Sequence, residues 1–367
     1  MQGIRREFPL LENGIYANTA SSGLMHKALI EWRRRHDLEF LNGGSQMKTE
    51  AMRTQIPEVR KTVARFFNCK NENVALIQNF SLGLNLLLEG LDRNNKVLLL
   101  ENDYPSVNWP FENRHFSIAY AKIDAQLEEH IWEKLKDGNF SVLAISLVQW
   151  LTGIKIDLEF LKKVKSEFPE IIIIADGTQF CGAESFDFEN SAIDILGASG
   201  YKWLLAGYGN GFMLFKDHVK DSFSVKSIGF NAANINKDMR DSIRFAKHFE
   251  PGHLDTLNFG SLKRGMDFLV AIGMDKITAH NRKLFEKAKN SFADLGLLNA
   301  DILQRKEHST IFNIKGDDSL YRLLTNKKVM CAQRGDGIRL SFHCYNTEND
   351  IDEILEILKT TMWNLPT

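Results

Sequence analysis

Two ionisable residues near the middle of the chain, Asp176 and Lys202, each follow an apolar segment typical of a buried β-strand. The run Ile171 to Ile174 precedes the aspartate, and such a continuous β-branched run indicates a strand covered on both faces in a parallel sheet. A second apolar run, Ile193 to Leu196, precedes the lysine. Ligands of open α/β sheets bind beyond the carboxyl ends of the strands, so the sequence predicts an amine and a carboxylate at one pocket.

The amine and the carboxylate together suit one cofactor chemistry. A lysine can form an imine with an aldehyde cofactor, and a carboxylate can keep a pyridine nitrogen protonated. These are the two groups that pyridoxal 5′-phosphate (PLP) requires. The spacing alone favours the ordinary interpretation, in which Asp176 has a turn or capping role and Lys202 a surface position. The rest of the chain has to decide between the two interpretations.

The composition indicates an enzyme with a small-molecule partner. At 367 residues the chain exceeds one ordinary core, which favours two domains. Lysine and arginine (46) nearly balance aspartate and glutamate (47), so we expect no basic field for nucleic acid or anionic lipid. No segment resembles a signal peptide or a membrane span, and we expect a cytoplasmic protein.

The four cysteines are scattered along the chain without the CxxC spacing of a zinc or redox site. We therefore expect free thiols, mostly buried, and no metal site. They are Cys69, Cys181, Cys331 and Cys344.

Strand and helix patterns alternate through the first two thirds of the chain, which predicts an α/β fold with a mainly parallel central sheet. We expect an N-terminal arm over 1–15, a large domain over 16–260 and a smaller α+β domain over 261–367, to which part of the N-terminal segment could also belong. The clearest predicted elements are helices Leu24–Leu41 (stopped by Gly43 and Gly44), Pro57–Phe67, Leu158–Phe168, Gly260–Leu269 and Asp275–Leu295, and strands Val74–Gln78, Lys96–Leu100 and Ser141–Gln149.

Two further segments could serve a phosphorylated, planar ligand. Ser81 and Gly83 begin a predicted helix, where free N–H groups and the helix dipole favour a phosphate dianion. A serine N-cap that binds nothing is the alternative. Tyr104 and Trp109 follow a strand and could stack on a ring, although core packing is the commoner role of such side chains.

Eight segments, taken in order, resemble the class V aminotransferase family of PLP enzymes, which has fold type I and includes cysteine desulfurases, selenocysteine lyase, kynureninase and isopenicillin N epimerase. The resemblance covers nearly the whole chain. It rests on YANTASSG, NFSLGLN, the segment around Tyr104, SLVQWLTG, ADGTQ, SGYKW, HLDTLN and IRLSFHCYNTENDID.

The resemblance implies a role for each matching residue around the cofactor. Lys202 would be the catalytic Schiff-base lysine, Asp176 would pair with the pyridine nitrogen, and Gln179 would hydrogen-bond the phenolic oxygen. Tyr104 matches the residue that stacks on the ring, which is a histidine in the desulfurases. The phosphate would be held by Phe80, Ser81 and Ser199, with Tyr201 in the place of a family histidine that also reaches it.

The same resemblance implies substrate and subunit contacts. Arg339 would bind the substrate α-carboxylate, for which its two-pronged donor geometry is suited, although a salt bridge beside a helix cap is the alternative for this residue alone. Asn18 would assist it. Thr256 resembles a residue that reaches the phosphate of the neighbouring subunit, which implies a homodimer with shared active sites.

The sequence departs from the desulfurase pattern at two places. Only four residues separate Arg334 from Arg339, so no loop carrying a nucleophilic cysteine fits there, and Cys331 is expected to pack in the core. This disfavours a persulfide-forming desulfurase. Gln149 and Trp150 replace an asparagine that relatives often carry near the cofactor, and we assign Gln149 to the cofactor-binding set.

The predicted function is that of a PLP-dependent enzyme acting at Cα of a small amino acid, with a 2-oxo acid as a possible second partner. Aminotransferase activity is the first interpretation; a selenocysteine lyase-like or other β-eliminating lyase, or an epimerase, uses the same residues. A PLP-fold binding protein without activity is disfavoured because Lys202, Asp176 and Arg339 are all kept. A dinucleotide-binding enzyme is disfavoured because no GxGxxG motif follows the first strand of a βαβ unit.

Overall fold

A seven-stranded β-sheet lies at the centre of the computed structural model, which describes residues 2–233, 238 and 242–362. After a short outlying strand β1 (Ile15–Tyr16), its strands are β2 (Val74–Ile77), β3 (Lys96–Leu100), β4 (Ser117–Ala121), β5 (Val142–Ser146), β6 (Ile172–Asp176), β7 (Ile195–Ser199) and β8 (Gly211–Phe215). Their order is β2-β8-β7-β6-β5-β3-β4. Only the pairings of β8 with β2 and β7 are antiparallel, which confirms the mainly parallel sheet.

The register of the sheet brings three strand ends together. Ser146 lies opposite Asp176, and Asp176 lies opposite Gly197 near the end of β7. The strands β5, β7 and β8 are buried along their whole length, as their apolar sequences require. The polar residues that follow β5, β6 and β7 therefore share one edge of the sheet.

Ten α-helices are described around the sheets. They are α1 (Lys27–Phe66), α2 (Phe80–Glu89), α3 (Pro105–Glu112), α4 (Leu127–Asp137), α5 (Leu158–Glu167), α6 (Thr256–Ile272), α7 (Met274–Asp294), α8 (Ala300–Gln304), α9 (Asp318–Asn326) and α10 (Glu348–Met362). Helices α5, α6 and α7 lie close to their predicted positions.

The two helices predicted before residue 68 are present as the two parts of α1. They meet at Gly44, whose φ 47° and ψ −123° are not helical, so the first part stops at the predicted glycines. The second part begins before the predicted Pro57, because Ala51, Ile56 and Val59 extend its buried face toward the N-terminus.

A second, smaller layer is built from both ends of the chain. Its strands are β9 (Ile311–Lys315), β10 (Val329–Met330), β11 (Ala332–Arg334) and β12 (Gly337–Ser341), with the antiparallel order β11-β12-β9 and a parallel β1–β10 pair. Ile15 and Ala17 belong to the apolar cluster that residues 284–358 form. Helix α6 packs instead with the cluster under the large sheet. The domain boundary at residue 260 stays a prediction.

A capping box precedes α10. Asp350 N donates to Thr347 Oγ1 at 3.2 Å, and Thr347 N donates to Asp350 Oδ2 at 3.2 Å. The helical face formed by Ile351, Ile354 and Leu358 is buried. In the part of the chain that the structure describes, no helix is both long and apolar enough to cross a membrane.

A buried ion pair holds β2 in place before the start of α2. Arg60 Nη1 and Nη2 each lie 2.7 Å from a carboxylate oxygen of Glu250, which is 1% exposed, and Leu76 N donates to the same carboxylate at 2.8 Å. We expect Glu250→Ala to lower the free energy of unfolding by about 3–5 kcal/mol, because it removes the buried carboxylate that pairs with Arg60 and Lys247 and accepts from Leu76 N.

Urea unfolding followed by circular dichroism measures this loss. Glu50→Ala is the matched control, since Glu50 pairs with Arg53 on an exposed helix surface and such pairs contribute little. Equal effects of the two substitutions would contradict the importance of the buried pair.

Candidate active site

Lys202 lies just after β7 and is 5% exposed. Its backbone is covered by Gly23, where a Cβ atom would stand 1.9 Å from the Lys202 carbonyl oxygen, so only glycine fits there. Among the described residues the Lys202 ammonium has no hydrogen-bond or ion-pair partner. Burial lowers the pKa of Lys202 below that of a free lysine, Asp176 opposes this shift and Arg339 adds to it. The amine is therefore easier to deprotonate than a surface lysine.

Asp176 ends β6 as predicted and is also buried, at 5% exposed. Its Oδ1 accepts a hydrogen bond from Thr178 N at 2.8 Å. Burial raises the pKa of Asp176, and the Thr178 hydrogen bonds and the Lys202 charge oppose the rise. A cation beside this carboxylate, such as a protonated pyridine nitrogen, would stabilise its ionised form.

Gln179 is held at both ends of its side-chain amide. Its Oε1 accepts from Trp203 Nε1 at 2.8 Å, and its Nε2 donates to Ala20 O at 2.9 Å. An amide nitrogen carries two hydrogens, so one N–H of Gln179 stays available for a ligand acceptor. This agrees with the predicted donor role of Gln179.

Of the predicted phosphate donors at the start of α2, the Phe80 N–H and the Ser81 hydroxyl already have acceptors among the described residues, whereas the Ser81 N–H and the Ser199 hydroxyl proton do not. Phe80 N donates to Ser199 Oγ at 3.0 Å, and Asn79 Oδ1 caps Leu82 N at 2.9 Å. Within the described chain no acceptor binds the Ser81 N–H. The Ser199 hydroxyl accepts from Phe80 and keeps its own proton to donate. An anion at this helix start would satisfy both groups and the helix dipole.

Arg339 is a buried cation without a carboxylate partner among the described residues. It lies on β12 and is 3% exposed. Its Nη1 donates to Trp150 O and its Nη2 to Ser21 Oγ, both at 2.7 Å, whereas its buried Nε has no acceptor. Burial lowers the pKa of Arg339 to about 10. The alternative of a salt bridge beside a helix cap is not what the structure contains.

Aromatic rings surround the Lys202 amine. Its Nζ lies 5.5 Å from the ring centroids of both Tyr104 and Tyr201. Tyr104 meets Trp150 edge to face with centroids 6.1 Å apart, and the Arg339 guanidinium lies 6.0 Å from the Trp150 ring. Tyr104 is therefore close enough to Lys202 to contact a ring bound to it. Trp109, the other aromatic candidate, is 64% exposed.

Three predicted residues have other contacts in this structure. Gln149 Oε1 accepts from Leu151 N and Thr152, so only its amide nitrogen is left for a ligand. The buried Oδ1 of Asn18 has no partner in the described chain, and Asn18 bridges to Ser341 two residues after Arg339. The Thr256 hydroxyl lies 2.9 Å from His36 Nε2 of the same chain. The role of Thr256 across a subunit boundary stays a prediction.

Sequence reasoning missed four residues that support the site. Asp103 is buried and accepts from both Tyr104 N and Ser146 N, which ties β3 to β5. Ser106 accepts from the Ser81 hydroxyl at 2.7 Å. Ser21 and Trp203 contact Arg339 and Gln179 across long sequence separations. Only the position of Asp103 just after a strand gave a local signal.

The residues brought together fit PLP. Lys202 suits an aldehyde, Asp176 a pyridinium, Gln179 a phenolate, and the start of α2 a phosphate. The Ser81 N–H supports this fit, because it has no acceptor within the described chain and a bound phosphate would supply one. The described residues contain no cluster of histidine, cysteine, aspartate and glutamate arranged to hold a metal ion.

Known proteins match this chain over nearly its full length. The model of the family described as aminotransferase class-V matches residues 16–354. A probable cysteine desulfurase of Pyrococcus abyssi is 23% identical, with 99% of this chain and 98% of the relative covered.

Solved structures of the same fold agree with this match. A cysteine desulfurase from Thermococcus onnurineus has a TM-score of 0.85 at 20% identity and covers 99% of this chain and 98% of its own. A cystine C–S lyase, solved with its product cysteine persulfide, has a TM-score of 0.85 at 18% identity and covers 96% and 98%. At these identities the likeness shows the fold, and it confirms the predicted fold class.

The lowered pKa of Lys202 has a measurable consequence. We expect the cofactor-free protein to capture added PLP at a rate that rises with pH and levels off below about pH 10, where a surface lysine would still be charged. The reason is that only the neutral amine attacks an aldehyde, and burial favours the neutral amine.

The capture is monitored by the absorbance at about 420 nm that is typical of PLP joined to a lysine. Lys202→Arg is the control, since it keeps the charge but forms no such band. A rate that still rises steeply above about pH 10 would show that Lys202 behaves as an ordinary lysine.

Proposed function

Because the chain belongs to the class V aminotransferase family, whose members are PLP-dependent enzymes, we propose that it is a lyase that removes the β-substituent of a small sulfur- or selenium-containing amino acid. The supporting observation is the buried Arg339 guanidinium, which lacks a carboxylate partner in the described chain and whose charge acts on the buried Lys202 amine. A substrate carboxylate would give Arg339 the anionic partner that it lacks in the described chain.

Arg339 has a free edge for the substrate carboxylate. Its Nη1 and Nη2 each donate one hydrogen bond to the protein, and its buried Nε–H has no acceptor in the described chain. A carboxylate that accepts from Nε and Nη2 would complete the donor set in the two-pronged geometry that arginine favours. The unpartnered Asn18 Oδ1 and Trp150 Nε1 are further buried polar groups beside this position.

Lys202 is the group that moves the Cα proton in this proposal. PLP, when bound, supplies an electron sink that makes the proton acidic. The burial that lowers the pKa of Lys202 makes the neutral amine available as a general base. Loss of the Cα proton to Lys202 and departure of the β-substituent with its bonding electrons give, after addition of water, pyruvate, ammonia and, from cysteine, hydrogen sulfide.

Direct elimination requires no cysteine nucleophile, which agrees with the short hairpin and the buried Cys331 of the small layer. Arg334 and Gly337 pair at the end of a tight hairpin, in which Gly335 has φ +54°. Cys331 is 6% exposed within the apolar cluster of that layer, and burial raises the pKa of its thiol to about 11. A thiol that is buried and protonated is a poor acceptor of sulfur.

Transamination remains the second candidate, as the family description favours it. The same Arg339 edge would take the carboxylate of a 2-oxo acid, and Lys202 would move the proton from Cα to the cofactor. The proposal also includes a cytoplasmic location and a homodimer in which Thr256 contacts the phosphate of the neighbouring subunit. Size measurement with and without PLP tests the dimer.

The two reactions differ in their need for a second substrate. We expect the PLP-loaded protein to form pyruvate and sulfide from L-cysteine, or pyruvate from L-cystine, without any 2-oxo acid, because elimination uses one substrate. Lactate dehydrogenase-coupled detection of pyruvate and a sulfide dye measure the products. Lys202→Ala should abolish turnover. Product formation that depends on an added 2-oxo acid would establish transamination in place of the lyase.

Substitution of Arg339 tests the carboxylate site. We expect Arg339→Lys to raise KM about ten- to hundredfold with a smaller change in kcat, because lysine cannot offer two parallel charged hydrogen bonds. Steady-state kinetics with the substrate found above measures the split. Arg334→Lys on the same hairpin is the matched control and should leave KM unchanged. An unaltered KM for the Arg339 variant would show that the substrate carboxylate does not bind Arg339.

A further inference from the structure

The contact between Trp203 and Gln179 has a direction that chemistry dictates. An indole N–H can only donate, so the atom of Gln179 that faces Trp203 at 2.8 Å has to be the amide oxygen. The amide nitrogen then faces Ala20 O at 2.9 Å. Trp203 is 1% exposed and Gln179 is 5% exposed, so water does not compete for these bonds. The orientation of the amide is therefore fixed by its neighbours.

The Trp203 ring itself has little freedom to move. The ring meets the His343 ring edge to face at 5.0 Å between centroids, and the backbone carbonyl oxygen of Trp203 lies 3.0 Å from His343 Nε2. Gly182 packs on the same carbonyl, where a Cβ atom would stand 2.5 Å away. Trp203 also follows Lys202 directly in the chain. The residue that fixes Gln179 is thus anchored beside the catalytic lysine.

We propose that Trp203 is a positioning residue that holds Gln179 with its remaining N–H toward the phenolic oxygen of bound PLP. Without the indole donor, the amide oxygen of Gln179 would lack a partner, and Ala20 O would be the one remaining anchor of the amide among the described residues. The amide could then tilt away from the phenolic oxygen, which would weaken the hydrogen bond to it. Trp203 therefore acts through Gln179 and does not itself touch the cofactor. This inference rests on the predicted contact of Gln179 with PLP.

The measured quantity is the midpoint pH at which the absorbance band of the PLP-loaded protein at about 420 nm titrates. Negative charge on the phenolic oxygen stabilises the protonated Lys202–cofactor linkage, and a donor to that oxygen weakens this effect. Loss of the donor should therefore raise the midpoint. The other charged or titratable groups that face Lys202 are Asp176, Arg339, Tyr104 and Tyr201, and the substitutions leave all of them in place.

We expect Trp203→Phe to raise the midpoint by about half to one pH unit, the equivalent of one lost hydrogen bond. Gln179→Leu, which removes the donor altogether, should shift it at least as far. Leu204→Ala is the matched control, because it opens a cavity beside Trp203 but keeps the indole N–H, and its midpoint should stay at the wild-type value. Replacement of Trp203 by benzothienylalanine removes the N–H without changing the ring shape, and serves if Trp203→Phe does not fold.

The outcomes separate this inference from its premise. A shift for Gln179→Leu with none for either Trp203 variant would show that Gln179 needs no positioning. No shift for any of them would show that Gln179 does not contact the phenolic oxygen, which overturns both statements while leaving the lyase assay to stand by itself. A shift for Leu204→Ala as large as for Trp203→Phe would assign the effect to packing.

Discussion

Burial of two cations is the constraint on which the site depends, with Lys202 beyond strand β7 of the large sheet and Arg339 on strand β12 of the small one. Lys202 and Arg339 are both almost inaccessible, and Asp176 is the carboxylate whose charge acts on Lys202. Burial lowers the pKa of both cations, which shows that the protein compensates them only in part. A phosphate and a substrate carboxylate would supply the missing negative charge. The site is stable enough to fold around this excess because the large sheet and the capped helices hold its residues in place.

The turn that follows β1 connects the parts of the site. Ala20 O accepts from Gln179, Ser21 Oγ accepts from Arg339, and Gly23 lies on the backbone of Lys202. The turn is fastened in its own right, since Ala20 N donates to Ser341 Oγ at 2.9 Å and β1 pairs with β10. The predicted cofactor residue Gln179 and the predicted substrate residue Arg339 are thus bound to one short segment. A displacement of this turn would move both together.

Sequence alone identified the parts of the site whose signal is local. The apolar runs before Asp176 and Lys202 predicted strand ends correctly, and the resemblance to a family then separated these residues from ordinary turn and surface positions. The contact of Trp203 with Gln179 depends on how the chain folds back after β7, and Ala20 is far from both in sequence. At Gly44 the local stop signal was correct, and what the sequence did not show is that the next helix begins well before Pro57. Long-range contacts leave no periodicity that a single sequence can show.

The hairpin of β11 and β12 limits the chemistry more than any residue in the pocket. Arg334 pairs with Gly337, so the chain turns at once and re-enters the strand that carries Arg339. Gly335 sits where a Cβ atom would stand 3.1 Å from Leu151, which directly follows Trp150. The hairpin tip therefore rests against the segment whose carbonyl binds Arg339. A longer loop bearing a thiol would have to displace this contact, and with it one of the two hydrogen bonds that orient the arginine. The short turn therefore keeps Arg339 oriented by Trp150 O and leaves no room for a thiol-bearing loop between Arg334 and Arg339.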